Sequence, residues 1–331
     1  MKKVLAFILI ACLLPGSICA FAEEELKYDF KVGYSVLGAA TNFFVTVNEG
    51  VQAACEAHGV DLTWTIDDRD ASKMKTAIDT FVLQGADIIV DFTVLAETGS
   101  AIAAELAQEG IPMLSVDCVY DGAYFFGVDN DGCGKELGKY AEEWVNANWD
   151  GKIDAVQCLY NEANGETVLK RVGSGANLLI ADGYVPEDAV TYTNINSSGA
   201  TVTDVSYVRS LVVDYLTAHP DNHHIVILTQ TDEQSTAANA AVLSSERQDD
   251  VIIISNNCDL AVIAMLQKGE GVIVGDLNYN SAAYGEQILM SCAKIMEAKR
   301  NGEEIDTFFY NPVYMVTRDN VWDYYPEAVE G

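Results

Sequence analysis

The sequence predicts an α/β protein of two similar lobes, each built on a parallel sheet. Three observations predict it. From Lys31 onward, short apolar runs alternate with segments of helical period. That β-α-β-α order implies parallel strands joined by right-handed crossovers. The same alternation repeats in the second half, and no Pro/Ser-rich or low-complexity stretch divides the chain. The lobes therefore share crossings instead of standing as separate beads. Finally, hydrogen-bonding residues recur at the carboxyl ends of the predicted strands, where open α/β sheets bind ligands.

The elements follow in order. The run VGYSV (32–36) is a strand, followed by a helix over 43–58 that Gly59 closes. LTWTI (62–66) precedes a helix over 72–84, and DIIVDF (87–92) one over 97–108. A glycine just past the last periodic residue is the expected stop, and Gly85 and Gly110 stand there. PMLSVD (112–117) and AYFFGV (123–128) are the next strands, short apolar runs bounded by turns. Val128-Asp129-Asn130 reads as the crossing into the second half.

There a helix covers 134–146, KIDAVQC (152–158) is strand-like, and helices cover 166–181 and 204–218. HIVILT (224–229), VIIIS (251–255) and GVIVGD (271–276) are strands, each followed by a helix, over 233–243, 260–268 and 282–299. VYMVT (313–317) leads into an aromatic, acidic tail.

Composition narrows the function classes. A chain of 331 residues, half of it hydrophobic and 21% charged, has enough apolar content for two domains and is not globally disordered. The formal charge of −31 repels nucleic acid and anionic lipid. Residues 1–22 have the basic start, apolar stretch and Ala20-Phe21-Ala22 site of a secretory signal peptide. A retained anchor and lipidation at Cys12 or Cys19 are the competing readings. The other six cysteines form no CxxC pair, and their scattered spacing fits buried free thiols. No metal or cofactor is expected.

The candidate site is the series of strand-end residues. Thr41, Asn42, Phe43 and Phe44 follow the first strand, Asp91 with Phe92 and Thr93 stands at the end of the third, and Asp117-Cys118 follow the fourth. In the second half come Thr231-Asp232, Asn257 and Asp276. Carboxylates and amides with adjacent aromatic rings suit a polyhydroxylated ligand: they bind its hydroxyls, and a ring covers its C–H face. Taken singly, each polar residue is equally a helix cap or turn former.

Five segments in order, NFFVTVNEGVQ, IPMLSVD, GVDNDGCGKELGKY, LTAHPD and TDEQSTAANAAVL, resemble the periplasmic sugar-binding proteins of the ribose-binding type. The resemblance spans about Lys31 to Thr317. It implies a type I periplasmic binding fold: two Rossmann-like lobes joined by three hinge crossings, near Val128-Asp129, Gly275–Leu277 and Asn311-Pro312. The lobes would be residues 27–128 with 277–311, and 129–276 with 312–331. The implied function is extracytoplasmic: the protein clamps a small polar ligand and delivers it to the membrane subunits of an ABC importer. It would do so as a monomer, without enzymatic activity. Presentation of the closed form to a membrane sensor kinase or chemoreceptor is the alternative.

Carried over by position, Phe43 and Phe44 are the ring-stacking aromatics and Asp117 the sugar-binding carboxylate. Arg171 is the second lobe's guanidinium, with Lys170 beside it. The chain departs from the family at Cys118 (usually Arg), Thr231 (Asn), Asn257 (Asp) and Asp276 (Gln). These departures put ribose itself in doubt. With Asp91, Asp117 and Asp276 all expected at the cleft, the ligand expected is a neutral sugar or polyol. Enzyme readings find no constellation. GCGKELG lacks the pattern of a phosphate loop, and His223-His224 and Asp67-Asp68-Arg69-Asp70 read as solvated turns.

Overall fold

The structure is a computed structural model and describes residues 28–38, 42–196 and 204–329. The signal-peptide segment, Cys12, Cys19 and Thr41 lie outside these residues, as does the side chain of Asn42.

The first sheet starts from β1 (Lys31–Val36), α1 (Asn42–Ala57), β2 (Asp61–Ile66) and α2 (Ala71–Leu83). It continues through β3 (Ile88–Phe92), α3 (Ala96–Gln108), β4 (Met113–Val116) and β5 (Tyr124–Gly127). The chain then passes to a second sheet through α4 (Asn130–Asn148), β6 (Ala155–Tyr160), α5 (Gly165–Ala181) and β7 (Val190–Asn194). There follow α6 (Val205–Ala218), β8 (Ile225–Thr229), α7 (Asp232–Ser244), β9 (Val251–Asn256), α8 (Leu260–Lys268) and β10 (Ile273–Asn278). Last come α9 (Tyr284–Asn301), β11 (Phe308–Tyr310), β12 (Tyr314–Thr317) and the short α10 (Val321–Tyr324).

Strand order is β11-β5-β4-β3-β1-β2 in one sheet and β12-β10-β9-β8-β6-β7 in the other. All pairings are parallel except β10 with β12, which is antiparallel. The chain therefore passes between the sheets three times, after β5, after β10 and between β11 and β12. The middle passage comes later than expected: Leu277 and Asn278 still pair with Met315 and Tyr314, so it begins past Asn278.

Each sheet is buried on both faces, which is why its central strands read as unbroken apolar runs. In the first lobe α1 and α9 cover one face with Val47, Val51, Ile288 and Leu289. Helices α2 and α3 cover the other with Met74, Ile78 and Ile102. The glycines of GCGKELG serve packing between α4 and α5. A Cβ on Gly134 would lie 2.1 Å from the carbonyl oxygen of Lys170, and one on Gly138 2.8 Å from that of Gly175.

Two strands went unpredicted, β7 and β11. Both are sheet edges, partly exposed along their length, so neither needs the continuous apolar run that marks a central strand. Helix α4 begins a turn before its expected start, because Asp129 caps it by accepting from the Asp131 N–H at 3.2 Å. Among the described residues, no helix is long and apolar enough to cross a membrane. Cys55, Cys133, Cys158, Cys258 and Cys292 are buried free thiols, and Cys118 is a half-buried one.

Candidate functional site

A cavity of about 460 Å³ lies between the lobes, at the carboxyl ends of both sheets. Pockets for small ligands run from ~300 to 1,000 Å³. On the first lobe it is walled by Phe43 and Phe44 from the first turn of α1, and by Asp117 and Cys118 after β4. Phe43 meets Phe44 edge-on at 5.8 Å and Tyr284 at 5.3 Å, while Phe44 lies 4.8 Å from Phe92. Rings braced on several sides offer a pre-set apolar face.

Asp117 sits in the left-handed region, φ 56°. Its N–H donates to the Phe126 carbonyl at 2.8 Å, and Tyr284 Oη donates to Oδ1 at 3.0 Å. Gly127 is needed beside it, since a Cβ there would stand 2.6 Å from Oδ1. Backbone held this way in a cleft is a common mark of a binding site. Burial pushes the Asp117 carboxyl up to about 6, against the pull of the Arg171 guanidinium and the Tyr284 hydrogen bond.

The second lobe contributes Arg171 from α5, Thr231 at the start of α7 and Asn257 after β9. Arg171 Nε donates to Asn130 Oδ1 at 2.6 Å, and its guanidinium lies over the Tyr279 ring at 4.8 Å. Among the described residues its two terminal nitrogens have no protein partner, leaving their N–H groups for a ligand. Lys170 is exposed and does not line the cavity. Thr231 Oγ1 is buried without a partner. Such a hydroxyl is costly unless something bonds to it, and here it stands in the cavity wall.

Arg69 also lines the cavity, and the sequence reading missed it. From sequence, the loop after β2 reads as a solvated turn. Instead buried Asp67 organises it, accepting from Arg69 N–H at 2.9 Å, from Ser35 Oγ at 2.7 Å and from Thr93 Oγ1. Asp68 and Arg69 both adopt positive φ. The Arg69 side chain makes no ion pair among the described residues and lies close enough to the Cys118 thiol to oppose its upward shift. The cleft wall that lacks an Arg at position 118 thus receives a guanidinium from position 69. The available signal is that Asp67 directly follows a strand as Asp117 does.

Three expected contacts stand elsewhere. Asp91 is one of the last two residues of β3, where the pleat turns it toward the α2–α3 side. There it accepts from Tyr120 Oη at 2.6 Å and from the Thr93 N–H at 3.1 Å, and it lies 2.6 Å from Thr93 Oγ1. Asp232 begins α7 and accepts from Ser255 Oγ at 2.5 Å and from the Asp259 N–H at 2.6 Å. Asp276 lies within β10, accepting from the Cys258 N–H at 3.1 Å. All three are fully or almost fully buried, and none lines the cavity. The expectation that Asp91, Asp117 and Asp276 share one cleft is corrected to Asp117 alone, joined at the wall by Glu233 and Asp259. The histidines of the turn before β8 bind separate aspartates, His223 to Asp250 and His224 to Asp154.

These buried carboxyls set a pH dependence. Burial raises Asp91 to about 6 and Asp276 to about 7, alongside Asp117. In the unfolded chain carboxyls ionise near ~4. Between about pH 4 and 7 the folded state therefore binds more protons, and stability falls as pH rises through that window. The ligand-free protein should melt at a higher temperature at pH 5 than at pH 7.5. A melting temperature that climbs across this range would show that these carboxyls ionise normally.

Two α/β lobes with a polar and aromatic cavity between their strand ends define a two-lobed binding protein. A family profile described as a periplasmic binding protein domain matches residues 32–300. The chain belongs to that family. A xylitol-binding protein of Mycolicibacterium smegmatis is 25% identical over 104 residues, 31% of this chain and 30% of that one. The alignment thus spans less than a third of either. Among solved structures, a periplasmic ribose ABC transporter from Conexibacter woesei superposes with TM-score 0.73 at 16% identity, covering 90% of this chain and 95% of its own. An ABC transporter solute-binding protein from Agrobacterium vitis with bound allitol gives 0.70 at 17%, covering 90% and 98%. Another from Mycobacterium smegmatis with bound glycerol gives 0.69 at 19%, covering 91% and 98%. At these identities the likeness is one of fold.

Proposed function

We propose that this is an extracytoplasmic solute-binding protein that clamps a neutral sugar or polyol between its lobes and delivers it to an ABC importer. The observation that carries the reading is the cavity walled from both lobes. Phe43 and Phe44 offer a ring face, Asp117 accepts, Arg69 and Arg171 donate, and Thr231 is left without a protein partner. Two guanidiniums stand against Asp117, Glu233 and Asp259, and burial weakens the acidity of Asp117 and Asp259. A nearly balanced lining favours a neutral ligand rich in hydroxyls. The names of the similar proteins, which mention xylitol, allitol and ribose, point the same way.

The mechanism is hinge closure, with the three passages between sheets as the hinge. A ligand touching both walls has its full contacts only when the lobes are shut, so it shifts the population toward the closed form. No covalent bond is made or broken. The protein would act as a monomer after removal of residues 1–22, and its partners would be the ligand and the importer's membrane subunits.

Mass spectrometry of whatever co-purifies with the protein, released by mild denaturation, tests the ligand class directly. A phosphorylated or carboxylate metabolite there would overturn the neutral-ligand reading. Pentoses, hexoses and polyols that raise the melting temperature should also reduce the radius of gyration in small-angle scattering. An unchanged radius at saturation would count against the hinge.

A further inference from the structure

A second cavity of about 500 Å³ adjoins the first, and the two share Phe43, Asn257 and Asp259 as common walls. It runs along the side of the cleft where the chain passes from β10 to α9. Its far wall is made of Tyr314 from β12 and of Tyr324 and Tyr325 from the aromatic tail. The function proposed above gives this tail no task.

The tail is held firmly in place. Gln267 Nε2 donates to the carbonyls of Tyr325 and Glu327 at 2.9 and 2.8 Å, and its Oε1 accepts from the Val329 N–H at 2.8 Å. Asn278 Nδ2 donates to Tyr325 Oη at 2.6 Å, and Val321 is fully buried beneath α10. The Tyr314 and Tyr324 rings stack at 4.4 Å with 21° between their planes, forming a two-ring slab. Tyr324 nevertheless remains 46% exposed and Leu260, across the cavity, 55%. The remaining lining includes hydroxyls and amides such as Thr46, Ser281 and Asn280, and its one carboxylate, Asp259, is weakened as an acid by burial. An aromatic slab facing neutral hydrogen-bonding groups suits the apolar face and hydroxyl rim of a second sugar ring.

We propose that this cavity is a subsite of the same cleft, and that the ligand is longer than one sugar ring: a neutral glycoside or disaccharide whose second ring lies against Tyr324 and Tyr314. The inference rests on the ligand-clamping function proposed above. The first ring occupies the central cavity, and the chain of atoms linking the two passes the shared wall at Phe43 and Asn257.

Calorimetric titration with matched probes tests it. D-Xylose, D-ribose, D-glucose and D-galactose are each compared with their methyl and phenyl glycosides and with disaccharides carrying that ring at either end. For the sugar that binds, an extended form should bind at least about tenfold more tightly than its parent. Tyr324→Ala removes the slab's outer ring, and Ala282→Trp fills the cavity from its exposed rim. Either should erase the difference and leave the parent sugar's affinity unchanged. If parent and extended forms bind equally, or if Tyr324→Ala weakens both alike, the subsite is overturned and the proposed function stands. If no sugar, polyol or glycoside binds, both fall together.

Discussion

Asp117→Ala is expected to weaken ligand binding by about 2–4 kcal/mol, roughly 30- to 800-fold. Of the three strand-end carboxylates expected at the cleft, Asp117 is the one that lines the central cavity: Asp91 and Asp276 are occupied elsewhere. It is not a helix cap, because β4 is followed by a turn and then β5, with Asp117 N–H bonded to Phe126. Removing it leaves ligand hydroxyls and Tyr284 Oη without their acceptor in a closed site, and takes away the carboxylate that the Arg171 charge acts on. Backbone strain complicates the alanine variant, since φ is 56° and only Asn, Asp and Gly tolerate that region easily. Asp117→Asn is the companion variant. It keeps the backbone preference and one acceptor oxygen, and should lose less affinity than alanine. Calorimetry with the identified ligand reads both. Wild-type affinity in Asp117→Ala would remove this residue from the site.

What the sequence disclosed, and what it withheld, follows physical lines. Central strands were legible because both of their faces are buried, as in β8 and β9, where every residue is inaccessible. Edge strands β7 and β11 were not, since their exposed residues make no apolar run. The placing of the site at the strand ends also came from sequence, because it follows from parallel topology. Phe43, Phe44, Asp117, Cys118, Arg171, Thr231 and Asn257 all line the cavity. The direction of individual carboxylates did not come through. One step along a strand turns a side chain to the other face. Asp91 within β3 and Asp117 just past β4 look alike as letters, yet one bonds Tyr120 and the other faces the cleft. Arg69 was hidden for another reason. Its loop is shaped by hydrogen bonds from Ser35 and Thr93, residues distant in sequence, to Asp67.

The other large effect concerns Asp232 and Asp276, and it should appear in stability, not affinity. Both carboxyls are buried under the second lobe's cavity wall. Burial, with the Asp276 charge second, drives Asp232 well above the ordinary carboxyl range, which favours its protonated form. Its proton then serves Asp276, whose Oδ1 has no other donor among the described residues. Asp232 also takes hydrogen bonds from Ser255 Oγ and the Asp259 N–H, tying the ends of β9 and α7 to the loop before α8. Asp232→Ala breaks these links and leaves Asp276 Oδ1 without a donor in the interior. The expected cost is about 3–5 kcal/mol, read as a fall in Tm of about 6–20 °C. Asp232→Asn should recover part of that loss, because its amide can donate to Asp276 while its oxygen accepts from Asp259 N–H. Affinity measured below the melting transition should be unchanged in both variants. A variant that melts like the parent but no longer holds ligand would show that the pair reaches the cleft in the liganded state, and would restore Asp232 and Asp276 to the binding site.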